Sequence, residues 1–235
     1  MLKEAFQYIV GLGNKEIKTV GEQTYATGNL ELVAEATTTT LKVRNLSGIV
    51  EYIQNDYDSQ PPVLIHIESP TEVRVLSTFN RDKRRNILVQ AEALLPTIPF
   101  KNFISVEEFI ILLQSCFVQS VDRDTLLKVV GNIKEDNVKT TGDDGISQSV
   151  TAKTGITAVA DVKLPNPVTL KPFRTFVEIS QPTCSFVFRM QDGPRAALFE
   201  ADGGAWKLQA MADIKEYLTK SLEQEIKSER VVIIA

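Results

Sequence analysis

Near residue 132 the hydrophobic pattern of this chain changes period, and that change limits the folds open to it more than any single motif does. Ahead of it, apolar residues recur at helical spacing in several segments; from Asn132 to about Leu208 they fall in short strand-like runs between turn residues. Strands are expected near 137–141, 146–153, 156–164, 173–180, 184–190 and 195–200. The turns between them lie at Gly142 to Gly145, Pro165 to Pro167, Gln181 with Pro182, Asp192 to Pro194 and Asp202 to Gly204. A final helix from about Gln209 to Lys227 carries Met211, Ile214, Leu218, Leu222 and Ile226 along one stripe. The closing VVIIA is too apolar for a free tail and is expected to add a strand to a sheet or to enter an oligomer contact.

Upstream of the change, helices and strands mix. Leu2, Phe6, Ile9, Val10 and Leu12 share one helical face that Gly11 and Gly13 would end, and this stripe is expected to pack on the body or on a second subunit. Short strands are expected at Ile17 to Val20 and Thr24 to Ala26, and another at Leu41 to Val43. Asn45 can cap a helix with Leu46, Ile49, Val50, Ile53 and Tyr57 on one side, stopped by Pro61 and Pro62. VLIHIES, EVRVLSTF and ILVQAEALL, joined at 68–72 and 80–85, read as an antiparallel meander followed directly by a helix. That helix opens on a capping box, Ser105 with Glu108, ahead of Phe109, Ile110, Leu113 and Phe117. Asp122 or Asp124 can start the next one, and Gly131 or Asn132 can close it with a left-handed residue.

The expected fold class is therefore α+β: antiparallel β-sheets with about four or five helices, and a β-rich C-terminal half that ends in a long helix. A soft boundary separates a mixed half, 1–131, from a β-rich half, 132–235; a single domain is the other arrangement that 235 residues allow.

Composition narrows function mainly by exclusion. A count of 26 basic against 30 acidic residues, net −4, supplies no global attraction to nucleic acid or to an anionic membrane. No segment approaches the roughly 20 apolar residues that span a bilayer, and the N-terminus lacks the apolar core and cleavage site of a secretory signal. Cys116 and Cys184 each sit in apolar context and read as buried reduced thiols. A cytoplasmic protein, with no membrane partner, is the expectation.

Enzyme signatures are sparse. GLGN at 11–14 lacks the strand and third glycine of a dinucleotide loop, no GxSxG elbow selects a serine, and the single His66, beside Glu68 on one strand face, cannot build a zinc site of the usual kinds. Two acidic turns, Asp143 with Asp144 and Glu200 with Asp202, carry oxygen ligands for a divalent cation but read more simply as hairpin turns, so no metal or other cofactor is expected. The loop RDKRR places Arg81, Lys83, Arg84 and Arg85 together, enough for one phosphate or nucleic-acid contact.

FRTFVEISQPTCSFVFRM, residues 173–190, differs because its charges lie inside expected strands, where an unpaired charge is costly. Alternation puts Arg174, Phe176, Glu178 and Ser180 on one face. Arg174 and Glu178 are then either a structural ion pair or the positioned fork of a small anion site, with Gln181 and Arg189 close by once the next strand folds back. Trp206, after Gly203 and Gly204, is either a stacking lid or core.

The order of a helix, an antiparallel meander, the SVEEFIILLQ helix at 105–114, FRTFVEISQP and a final helix resembles the YfdQ-like family of prophage-encoded proteins of unknown function, over residues 35–225. The resemblance implies a phage accessory protein expressed in the cytoplasm of an infected bacterium, and no catalytic residue follows from it. The expected role is a non-enzymatic, homo-oligomeric binding protein. Its partner would be a small anionic ligand or a host protein, as in countering host defence by sequestering a nucleotide-type signal. An accessory factor for phage DNA replication or recombination and a metal-dependent hydrolase are the alternatives.

Overall fold

The computed structural model describes residues 2–20, 23–26, 28, 35–56, 58–59, 61–132, 139–143, 148–154, 158–163, 166–191 and 193–235. They belong to two compact units, residues 1–37 with 80–84 and residues 38–79 with 85–235. Elements from both sides of residue 132 share the larger unit, so the change of sequence pattern does not mark the division.

The smaller unit holds α1 (Leu2–Gly13) and a hairpin of β1 (Ile17–Val20) with β2 (Gln23–Ala26), Ile17 opposite Ala26. The stripe expected on α1 is present, but Leu2, Phe6, Ile9 and Val10 are 62–78% exposed. The Leu12 side chain lies outside the described residues. The tip at 80–84 is held by Asn80, whose Oδ1 accepts from the Asp82 and Arg84 N–H groups at 3.0 and 2.9 Å.

In the larger unit β3 (Leu41–Val43) leads into α2 (Leu46–Asn55). Asn45 caps that helix as its sequence position predicts, its side chain accepting from the Gly48 N–H at 3.1 Å, and Asp56 in the left-handed region ends it ahead of the prolines. Tyr57 lies outside the described residues. The meander follows as β4 (Val63–Ser69), β5 (Glu72–Leu76) and β6 (Ile87–Glu92). An irregular stretch and a two-residue β7 (Ile104–Ser105), rather than a direct join, then lead to α3 (Val106–Cys116) with its capping box. Ser120, not Asp122 or Asp124, caps α4 (Val121–Gly131), and its C-cap Asn132 is right-handed.

After residue 132, β8 (Lys139–Asp143), β9 (Gln148–Thr154) and β10 (Ala158–Lys163) form an antiparallel three-stranded sheet. Next come β11 (Val168–Leu170), β12 (Cys184–Gln191) and β13 (Arg195–Glu200), an antiparallel sheet that β7 completes at its edge. The long last helix is interrupted at Leu222, giving α5 (Trp206–Ser221) and α6 (Glu223–Lys227), and the chain closes with β14 (Val231–Ile234). The α+β class stands, with one refinement. The five-stranded sheet, ordered β14-β4-β5-β6-β3, is mixed, because both of its edge strands pair in parallel.

Two hydrophobic clusters organise this unit. One joins Phe109, Leu113 and Phe117 of the α3 region and Leu126 and Val130 of α4 to Phe186, Phe188 and Met190 of β12. The other packs Leu46, Ile49 and Ile53 of α2 and Ile214 and Leu218 of α5 over Ile65, Val73, Val75 and Val89 of the five-stranded sheet. The meander strands alternate as a half-buried sheet must, with Val63, Ile65 and Ile67 inward and Leu64 and His66 partly exposed.

Candidate functional site: a guanidinium between two cores

Residues 173–180 do not form the expected strand. The backbone groups that a neighbouring strand would have paired are met by one side chain instead. Gln181 Oε1 accepts from the Arg174 N–H at 2.9 Å and the Thr175 N–H at 3.3 Å, and its Nε2 donates to the Phe176 and Thr175 carbonyls at 3.1 and 3.4 Å. Thr175 Oγ1 donates to the Pro70 carbonyl at 2.6 Å. Phe173 N–H donates to the Cys116 carbonyl, which ties the start of the segment to the end of α3. The segment thus reaches both cores: Phe176 and Ile179 enter the cluster under the five-stranded sheet, while Cys184, just beyond it, lies in the other.

Losing the strand separates the two charges that alternation had placed on one face. Glu178 turns to α2, where Oε1 accepts from the Leu46 and Ser47 N–H groups at 2.7 and 3.2 Å, a remote anion at a helix N-terminus. Arg174 turns the other way and is only 7% exposed. Its Nη1 donates to Glu200 Oε1 at 2.6 Å, its Nη2 contacts Cys184 Sγ, and its guanidinium carbon lies 3.9 Å from the centre of the Trp206 ring and 5.7 Å from that of Phe186. Cys184 Sγ in turn donates to Asp202 Oδ2 at 2.8 Å. Burial is the main influence on the Arg174 pKa and lowers it; the hydrogen bond to Glu200, and the charges of Glu200 and Asp202, oppose that.

Of the expected ligand residues, Arg174, Gln181 and Trp206 therefore come together, with Gln181 acting on the Arg174 backbone. Glu178 does not join them. Nor does Arg189: Cys184, Phe186, Phe188 and Met190 point into the core, so alternation along β12 places Arg189 on the opposite sheet face. Glu200, Asp202 and Cys184 enter the cluster unforeseen as partners of Arg174. Their signal was in the turn at Gly193 and Pro194: counting outward from the pairing of Gln191 with Arg195 sets Phe186 opposite Glu200 and brings Cys184 toward Asp202.

In the acidic turn at 200–202 both carboxylates are engaged within the protein. Asp202 accepts from Cys184 and from the Gly204 N–H at 3.0 Å, and Glu200 holds Arg174. Asp144 and the Asp143 side chain lie outside the described residues. Among the described residues, no group of three or more His, Cys, Asp or Glu side chains is placed to hold a metal ion. Both cysteines are buried and free of any disulfide. His66 faces Arg74 across β4 and β5, where Arg74 bridges Glu68 and Glu72, each at 2.7 Å.

Within the smaller unit Arg81, Lys83 and Arg84 are exposed, while Asp82 turns inward to accept the Glu35 N–H at 2.8 Å. In the larger unit Arg85 donates to the Ser77 carbonyl at 2.7 Å and lies 4.0 Å over the ring of Phe79, which is itself exposed. Among the described residues no helix is long and apolar enough to cross a membrane. Comparison with family models, with curated proteins and with solved structures found no match.

Proposed function

We propose that this chain is a non-enzymatic accessory protein that acts by stoichiometric binding to a protein partner, with α1 as its docking element. The observation that carries the reading is the exposure of Leu2, Phe6, Tyr8, Ile9 and Val10 on one short helix. A helix of 12 residues is marginal in water by itself, and an apolar stripe left in solvent forgoes the burial that normally holds such a helix. Lys3 and Glu4 are its only charges. It therefore lacks the basic face by which interfacial helices hold anionic lipid, and a hydrophobic protein groove is the better match. The resemblance to prophage-encoded proteins supports placing that partner in the cytoplasm of a bacterial host.

Sequestration of a nucleotide-type signal is the small-ligand form of the same role. It called for Arg174 as an open fork, whereas the guanidinium is buried against Glu200, Cys184 and Trp206, so the weight moves to a protein partner. A photoreactive residue in place of Tyr8 is expected to join one host protein at one-to-one stoichiometry, and Phe6→Glu to abolish the adduct. Cyclic-nucleotide turnover by purified protein, or adducts with lipid alone, would overturn the reading.

The stack of Arg85 on Phe79 favours nucleic acid as the second reading, because it sets an exposed aromatic ring against a cation of the RDKRR sequence. It predicts affinity for single-stranded DNA that falls steeply with salt and is lost when Arg84 and Arg85 are both replaced by Ala. Salt-independent binding, or none, removes it.

A further inference from the structure

The two edges of the five-stranded sheet are built differently. At one edge β3 is three residues long and carries Lys42 at its centre, the short, charged form by which sheets discourage further pairing. At the other, β14 reads VVII, without charge or proline, and among the described residues it pairs with β4 alone. Its free side is not featureless. The Val63 N–H donates to the Arg230 carbonyl at 2.8 Å, which fixes the alternation along the strand: Arg230, Val232 and Ile234 turn their backbone groups toward β4, and Val231 and Ile233 turn theirs outward. Beside that edge runs an open groove of about 560 Å³, with Ile226 and Thr219 in its wall.

We propose that β14 pairs antiparallel with β14 of a second copy of this chain, about a two-fold axis through Val232, so that two five-stranded sheets become one continuous sheet. The register follows from which groups face out. With Val232 on the axis, Val231 lies opposite Ile233 of the partner subunit and Ile233 opposite Val231 of the partner subunit. Both are hydrogen-bonded pairs, so every outward N–H and C=O of the two residues finds a partner. Centring on Val231 or Ile233 instead would send one of these pairs beyond the strand. The side chains agree with this register on both faces. Val231 and Ile233 pack against the core beneath the sheet, so their cross-strand pairs extend that core across the axis. On the other face Val232, 55% exposed, meets its own symmetry mate. A foreign strand would have to reproduce this apolar alternation, which a second copy supplies by identity. The contact is isologous and closes at two copies.

The register makes a sharp test. At a non-hydrogen-bonded antiparallel pair the Cα atoms lie about 4.5 Å apart, within the range that a disulfide spans. Full-length Val232→Cys, incubated with a mild oxidant, is expected to convert to a covalent dimer. Ile234→Cys, also exposed but off the axis, is expected to convert at least about tenfold more slowly under the same conditions, and Cys116 and Cys184 are buried and give no background. Equilibrium sedimentation of the unmodified chain should show a concentration-dependent dimer. A monomer at all concentrations, a dimer whose Val232→Cys form does not cross-link, equal cross-linking at both positions, or a monomer that instead takes up an extended peptide along this edge would each overturn the proposal.

Discussion

The segment 173–182 and the strand β14 are both short and both rich in residues that suit a sheet, yet they treat their polar groups in opposite ways. In the first, a charged side chain, a hydroxyl and a run of backbone donors are drawn inside and mostly answered, by Gln181, by Glu200 and by the carbonyls of Pro70 and Cys116, while Arg174 Nε and Glu178 Oε2 stay buried without a hydrogen-bond partner. In the second, the outward N–H and C=O groups of Val231 and Ile233 find no partner within the described chain, and apolar side chains lie beside them in solvent. A buried group with its partners in place serves the fold, because removing any partner leaves a desolvated charge or donor behind. An exposed edge contributes little to the fold and offers most to another chain. Burial of charge was the natural reason to look for a site at Arg174. The comparison points instead to the exposed edge, where a row of backbone groups is open to another chain.

The largest effect should come from breaking the buried region. Arg174→Ala removes the partner of Glu200 and the cation over Trp206, and empties space between Cys184 and Phe186. Loss of one member of a buried pair costs about 3–5 kcal/mol; Glu200 is partly solvated, so the lower end, about 3 kcal/mol, is expected. For a chain of this size that is a fall in Tm of roughly 6–12 °C. On the reading that the guanidinium serves the fold, through Glu200 and Trp206, binding through α1 should persist wherever the variant remains folded. Thermal unfolding with the photo-adduct assay at Tyr8 measures both. An unchanged Tm with loss of a bound small anion would reverse the comparison and return Arg174 to the role of a ligand fork.

The same contrast explains how far the sequence could be read. Elements whose reasons are local were legible: the Asn45 cap, the Ser105 and Glu108 capping box, the alternation of Val63, Ile65 and Ile67, and the apolar end that became β14. The segment 173–180 was not, because its β-branched and aromatic content is that of a strand, and its actual conformation depends on Gln181 replacing a neighbouring strand. Mistaking it placed Glu178 beside Arg174, whereas one side chain caps α2 and the other lies against Trp206. The parallel pairing of β14 with β4 was equally hidden, since it joins residues some 168 positions apart, Val231 with Val63, with no turn between them to set a register. The candidate site was half visible: Arg174 and Trp206 stood out as a buried charge and a lone large ring. Their partners Glu200 and Asp202 stood out too, as an acidic turn, without the hairpin count that links the two pairs.

The smallest expected effect on the fold tests the other side of the comparison. Val232→Lys changes a side chain that is already largely in water, and the backbone of Val232 keeps its bonds to β4 whatever side chain it carries. In dilute solution, where the chain is a single copy, stability to denaturant should therefore move by no more than about 0.5 kcal/mol. At high concentration the same change sets two ammonium groups against each other across the proposed axis, and directly opposed like charges destabilise a strand pair. Denaturant midpoints at dilute concentration and sedimentation at high concentration separate the two consequences. A stability nearly unchanged with association weakened at least about tenfold makes β14 an edge that serves assembly. A loss of several kcal/mol in the dilute chain would mean that β14, like the segment around Arg174, already has its partners within one copy.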